Sequence, residues 1–422
     1  MEIQVKKIIK TATIVHSFAT LSGTAINSIL GLGFYIILAR FLGAQAFGVF
    51  SISVVTLTLI SDIASLGTDT GIINFVGKYI NKDKEKALKF LKLGLKIKLL
   101  VGTLVIIVGW IIAPFVATYL LAKPELEFPL RLALLGAFIA LLFSFATSSL
   151  QAVQKFWIWS AVNISSNLLR LIIILTLFSA GLLSVNLSIL TYVTIPLLGF
   201  FMSLYFLPPF LKAKNENSVK NEFFHYNKWV AVFILVAAIS GRLDTFLVTR
   251  ILTLKDVGIY SVAVTLSSIV PQIVSAIATV VAPKIAGFDT KEKVILYLKK
   301  LQIFVTSLSI LGILSGILVG YIFITRFYGK NYLDSFVPFV ILLIAQALFL
   351  ISIPAHTAVF YYFSYPKLFV LVSLVNLSII GIGGWFLTSN FGFIGTAMAV
   401  LIGNISNFVI SAIWVISRFR KQ

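Results

Sequence analysis

Apolar runs of 18 or more residues follow one another along the whole chain, separated by short polar stretches. A helix of roughly 20 residues crosses a hydrocarbon core about 30 Å thick, so each run predicts one membrane crossing. The runs are continuously apolar, whereas strands of a membrane barrel alternate over about 10 residues, so a barrel is excluded. Twelve helices are predicted: 14–39, 47–77, 91–120, 130–154, 156–180 and 186–211, then 227–250, 257–284, 294–326, 334–361, 364–388 and 391–417. Pro114, Pro196, Pro271, Pro338 and Pro354 fall inside them and are expected to mark bends, which a membrane bundle tolerates.

Polar residues set the orientation. Of the 34 Lys and Arg, 25 fall on one set of alternate connections and both termini, and 7 on the other; Arg170 and Arg242 lie within spans. The positive-inside rule then predicts a multi-pass protein of the cytoplasmic membrane with both termini in the cytoplasm. The basic start, Met1 to Lys10, leads into an apolar run too long for a cleaved signal peptide, so the first helix is expected to remain as an anchor. The net charge of +20 reflects these flanking lysines and calls for no nucleic-acid partner. Lys89, Lys92 and Lys96 share a helical face, and the lysines from Lys82 to Lys98 are expected to be solvated inner charge.

Composition narrows the chemistry further. The chain of 422 residues is 59% hydrophobic with a mean hydropathy of +1.05, and only 11% of it is charged. Cysteine is absent, which removes disulfides, thiolate nucleophiles and cysteine metal sites. His16, His225 and His356 are scattered without metal-ligand spacing, so no metal and no cofactor are expected. Outer connections are too short for an extracytoplasmic domain, which disfavours a membrane polymerase or ligase.

The two halves resemble each other. Arg40, Leu42, Gly48 and Ser51 match Arg250, Leu252, Gly258 and Ser261 at an offset of 210, with Phe50 against Tyr260. Lys84-Glu85-Lys86 matches Lys291-Glu292-Lys293 at an offset of 207. Each copy has an even number of helices, so the copies share one orientation and are related by an axis along the membrane normal. The expected fold is therefore all-α and polytopic, with two parallel six-helix halves around a central cavity: 1–211, a cytoplasmic linker 212–226, and 227–422.

Ionisable residues inside spans cost about 2.5–3.5 kcal/mol each on insertion scales and so become candidates for function. Arg170 and Arg242 are expected near mid-span, facing the interior, where guanidinium groups suit anionic ligands. Asp62, Asp69 and Asp244 are candidates for a coupling ion or for plain counter-ions. On a continuous helix Arg242 and Asp244 would project about 160° apart and could not neutralise each other. Arg40 and Arg250 occupy equivalent outer ends and read as interfacial anchors or gate residues.

Ala39-Arg40-Phe41-Leu42-Gly43 followed by Phe47-Gly48-Val49-Phe50 resembles the loop after the first helix of polysaccharide and oligosaccharide flippases. These belong to the multidrug/oligosaccharidyl-lipid/polysaccharide exporter superfamily. Arg242-Leu-Asp244-Thr-Phe-Leu with Val257-Gly258-Ile-Tyr260-Ser-Val-Ala263, and Phe391-Gly392-Phe-Ile-Gly395-Thr-Ala397, resemble its helices seven, eight and twelve. The resemblance implies alternating-access transfer of a polyprenyl-(di)phosphate-linked oligosaccharide from the inner to the outer leaflet, and no enzyme activity. Expected partners are that lipid-linked oligosaccharide, the bilayer and glycan polymerase machinery. Two other cargoes fit the same superfamily: small molecules exported with ion coupling, and lipid II.

Overall fold

A computed structural model describes residues 12–421 except 215, 287, 289 and 366. The basic start and the His16 side chain lie outside the described residues. The described chain is helical throughout. Eleven stretches are long and apolar enough to cross a bilayer. The last, Lys367–Arg420, has 54 residues and breaks at Gly392, whose φ of 61° ends one helix and starts the next. It therefore supplies two crossings, giving the twelve that the apolar runs predict.

Two compact units emerge. One contains the described residues up to Leu42 together with Ile52–Ala238. Its helices are α1 (Ala12–Leu42), α2 (Ala44–Ser65), α3 (Thr68–Tyr79), α4 (Lys84–Phe115), α5 (Glu127–Ala152), α6 (Phe156–Ser179), α7 (Val185–Phe206) and α8 (Asn217–Ser240). The other contains Gly43–Ser51, which includes the N-terminal end of α2, and the residues from Ile239 onward. Its own helices are α9 (Leu243–Ile251), α10 (Leu254–Ser267), α11 (Ile269–Ala286), α12 (Lys291–Phe323), α13 (Phe336–Ile351), α14 (Ile353–Thr357), α15 (Lys367–Ser378) and α16 (Gly384–Lys421).

The internal repeat is visible in the third crossing of each half. α4 has 32 residues and runs into a five-residue π-helical turn, Val116–Leu120; α12 has 33 and runs into Ile324–Tyr328, also π-helical. Both present long apolar faces outward, with Ile111 75% and Leu311 65% exposed. A water-soluble domain does not carry such faces; acyl chains cover them without cost.

Helix breaks differ from those the prolines suggest. Pro114 and Pro196 lie inside the unbroken helices α4 and α7. Pro271 and Pro354 sit just after the real breaks at Ser268 and Ser352, where a missing N–H costs nothing, and Pro338 lies in the first turn of α13. The second crossing breaks at Leu66 and Gly67, both left-handed (φ 50° and 73°). The seventh breaks between α8 and α9.

In the first unit the core is aromatic. Phe75 of α3 stacks on Phe90 of α4 at 4.6 Å, and Phe145 and Phe223 are wholly buried in the same cluster. Described residues of the predicted linker join this core rather than hanging in solvent. Lys86 pairs with Glu222 at 2.8 Å, Lys89 with Glu216 at 2.9 Å, and Lys92 donates to the Ala213 carbonyl at 2.6 Å. Two of the three lysines of the expected solvated stripe, Lys89 and Lys92, thus hold Glu216 and Ala213 on α4. These half-buried pairs still reach solvent, and screening there keeps their contribution small. Glu222→Gln is expected to cost less than about 1 kcal/mol, a loss that shrinks further with added salt in thermal unfolding of the purified protein.

In the second unit, the N-terminal end of α2 crosses α10 backbone against backbone. The nearest groups to Gly48 are the Leu254 carbonyl and the Gly258 nitrogen, and Gly258 in turn faces the Ala44 carbonyl and the Gly48 nitrogen. The two glycines matched by the repeat are in mutual contact, the small-residue crossing that membrane helices favour.

Candidate functional site

Within the first unit, α1, α5, α6 and α7 enclose a cavity of about 340 Å³. Its lining combines Asn27, Asn163, Asn167, Ser166, Tyr35 and Tyr192 with one charged residue, Arg170. Amides face inward because α6 carries Asn163, Asn167 and Arg170 at spacings of four and three, which put them on one face.

Arg170 is held on several sides. Its Nη1 donates to Asn167 Oδ1 at 2.9 Å and its Nη2 to the Tyr192 carbonyl at 2.7 Å, and the guanidinium lies 4.0 Å over the Tyr192 ring. Asn167 Nδ2 donates to Asn27 Oδ1 at 2.6 Å, so α1 fixes the orientation of the amide that orients the arginine. Arg170 Nε is buried with no partner. These contacts include no carboxylate counter-ion: dipoles and a ring hold the cation, and the site keeps its positive charge.

The second candidate arginine sits elsewhere than expected. Arg242 is the N-cap residue of α9 with φ −134°, at a helix break rather than at mid-helix. No continuous helix joins Arg242 to Asp244, so the expected 160° separation of their side chains does not hold. Asp244 occupies the first turn of α9, where the positive end of the helix favours a carboxylate. Thr245 N–H donates to its Oδ1 at 2.7 Å and the Tyr260 hydroxyl to its Oδ2 at 2.8 Å. At the repeat offset, Asp244 and Tyr260 correspond to Phe34 and Phe50, so this pair exists in the second half alone.

The remaining aspartates lie in the first unit on either side of the Leu66–Gly67 break. Asp69 Oδ2 accepts from Lys98 Nζ at 2.8 Å, and the same ammonium donates to Ser144 Oγ at 3.0 Å. Lys98 is therefore not solvated inner charge: its side chain is 0% exposed. Asp69 takes this lysine, not either arginine, as its cation, and Asp62 adds to the negative field around it. The signal was present in the sequence. Lys98 stands four residues after Gly94 and seven after Leu91, on the buried face of α4, off the stripe of Lys89, Lys92 and Lys96.

Arg40 and Arg250 lie in the last turns of α1 and α9, where a cation complements the helix dipole. His225 is exposed, and His356 Nε2 lies 2.9 Å from Asn407 Oδ1 inside the second unit. Among the described residues no group of three His, Asp or Glu could hold a metal.

Solved structures share the fold. A multidrug resistance MATE family transporter of the MOP superfamily, in an inward-facing conformation, has a TM-score of 0.77 at 14% identity, covering 94% of this chain and 95% of that one. The lipid II flippase MurJ, inward closed, has 0.75 at 17%, covering 97% and 89%. A MOP superfamily transporter from Pyrococcus furiosus has 0.64 at 14%, covering 97% and 95%. No curated protein sequence matches the chain significantly. The profile of the family described as "Polysaccharide biosynthesis protein" matches residues 16–288. Nearly two thirds of the chain, from the first crossing through α11, carries that family's pattern, and the protein belongs to the polysaccharide biosynthesis protein family.

Proposed function

We infer that the protein is a flippase that moves a polyprenyl-(di)phosphate-linked oligosaccharide from the inner to the outer leaflet for surface polysaccharide synthesis. The observation that carries this reading is the amide-lined, singly cationic cavity enclosed by membrane-crossing helices in a member of a polysaccharide biosynthesis family. A buried arginine without a carboxylate partner is expensive in a membrane and is retained where an anionic ligand uses it.

The mechanism uses these parts in turn. With both termini cytoplasmic, the cargo headgroup enters from the inner side. Arg170, in the cavity of the first unit, meets its negative charge while the prenyl tail remains in lipid; Arg242 is the second cationic candidate, in the other unit. Rocking of two six-helix halves, 1–211 and 227–422, then exposes the headgroup to the outside. Asp62, Asp69 and Asp244 act as counter-ions and structural carboxylates in this scheme, and Arg40 and Arg250 anchor the outer ends. The chain performs no bond-making step. It shares its fold with a lipid II flippase, and its own cargo in this reading is a prenyl-linked saccharide, with glycan polymerase machinery downstream.

The test is deletion of the gene in its host, followed by rescue. Accumulation of a lipid-linked saccharide with loss of one surface glycan is expected. Arg170→Gln at normal abundance should restore export about 10–100-fold more slowly than wild type, the effect of losing a hydrogen bond to a charged group worth about 1.5–3 kcal/mol. Intact glycans with no accumulated intermediate would overturn the reading and favour ion-coupled export of small molecules; one structure of the same fold is named a multidrug resistance transporter.

A further inference from the structure

The cavity around Arg170 offers a ligand more than a positive charge, and the identity of that ligand rests on the flippase reading. A guanidinium has five N–H donors. Two of the five are spent on Asn167 Oδ1 and the Tyr192 carbonyl, and one face is covered by the Tyr192 ring. The arginine thus does not offer its full set of donors to a doubly charged phosphate. It presents instead an edge that includes Nε, which is buried and without a partner.

Charge matching narrows the ligand. Among the described residues Arg170 is the single charged one lining the cavity. In a site shielded from water one cation neutralises one anion, and each further uncompensated negative charge costs several kcal/mol. A diphosphate carries more than one negative charge and is a poor match. A carboxylate is planar, carries one charge and fits a guanidinium edge.

The rest of the lining suits a saccharide ring. Asn163 donates to the Trp159 carbonyl at 2.8 Å and keeps its own oxygen as an acceptor within the cavity wall. Phe34 and Tyr35 add apolar faces beside the amides, the mixture that binds a polyol with fixed orientation.

We propose that this cavity binds an acidic sugar of the cargo, with one singly charged group, a carboxylate or a phosphodiester substituent, on the Nε edge of Arg170. The cargo is then an acidic glycan, and its lipid diphosphate is held elsewhere.

Two measurements test this. The lipid-linked saccharide accumulated by the deletion strain is purified and its sugars identified. A uronate or another sugar bearing a single negative charge is expected, and resistance to carboxyl reduction separates a phosphodiester from a carboxylate. A saccharide whose only charge is the diphosphate overturns the inference and leaves the flippase reading standing; no accumulation at all removes the flippase reading itself. In vesicles holding purified protein, wild type should move the native saccharide at least about tenfold faster than its charge-neutralised form. Arg170→Gln should bring that ratio close to one, a change that mere misfolding does not produce. Equal wild-type rates for the two substrates would also overturn the inference, whatever the variant does.

Discussion

Asp69→Leu is expected to destabilise the first unit by about 3–5 kcal/mol, the cost of leaving a buried charge without its partner. Among the described residues Lys98 has no other carboxylate in hydrogen-bond contact; Ser144 Oγ, at 3.0 Å, accepts a hydrogen bond from it but cannot cancel its charge. The reverse change, Lys98→Met, should cost less, because the Asp69 side chain is 28% exposed and can be partly rehydrated. The double variant Asp69→Leu/Lys98→Met removes both charges and is expected to recover most of the loss, since apolar replacements of buried pairs are often neutral or better. Thermal unfolding of the four proteins in one detergent gives the cycle. Additive losses in the double variant would show that the pair does not act as a unit. The pair joins α3 to α4 just beyond the left-handed break at Leu66 and Gly67. It therefore fixes the short helix α3 of the second crossing to the third, where a broken helix has no backbone continuity to hold it.

Much of this fold is legible in the sequence because bilayer thickness imposes one dominant pattern. Apolar runs of the required length specify the crossings, and their even number per half specifies the orientation of the repeat. Breaks are less legible, because they depend on what surrounds the backbone. Pro196 removes one N–H yet stays inside α7, while the break at Arg242 has no proline to announce it. A membrane bundle can satisfy the groups freed by proline through neighbouring helices, so residue type alone does not locate a bend. Charge placement fails in a similar way. Lys98 belongs to a basic cluster by sequence, and only its position on the helical face separates it from Lys96.

The candidate site is half legible. Arg170 stands out as an ionisable residue in an apolar run, and the structure places it in a polar cavity. Asn27, Asn163, Asn167 and Tyr192 do not stand out in the same way. Polar uncharged residues cost little in a membrane helix and are common in it, so each carries little signal alone. The spacing of Asn163, Asn167 and Arg170 is the available clue. Tyr260 registers in the sequence only as an aromatic match to Phe50; its hydroxyl on Asp244 is a tertiary contact that the sequence pairing conceals.

Substitution of either crossing glycine is expected to be more damaging than ordinary overpacking. A Cβ at Gly48 would lie 1.9 Å from the Leu254 carbonyl oxygen, and one at Gly258 would lie 2.0 Å from that of Ala44. The obstacles are backbone atoms of a facing helix, so no side chain can rotate away and the helices themselves must separate. Overpacked cores, whose side chains can shift, lose about 1–3 kcal/mol; Gly48→Ala and Gly258→Ala should each lose at least about 3 kcal/mol, measured as a fall in thermal midpoint. Gly312, inside α12 with nothing within 4 Å of an added Cβ, is the control. There alanine should be neutral or raise stability by up to about 1 kcal/mol, since helical glycine is entropically costly. Because the chain has no cysteine, a cysteine pair introduced at Ala44 and Val257 can report the same crossing without background. Efficient cross-linking in wild type that fades in Gly258→Ala would tie the stability loss to separation of α2 from α10. Unchanged cross-linking together with an unchanged midpoint would show that the backbone contact is not maintained in the bilayer, and the repeat-matched glycines would then need another explanation.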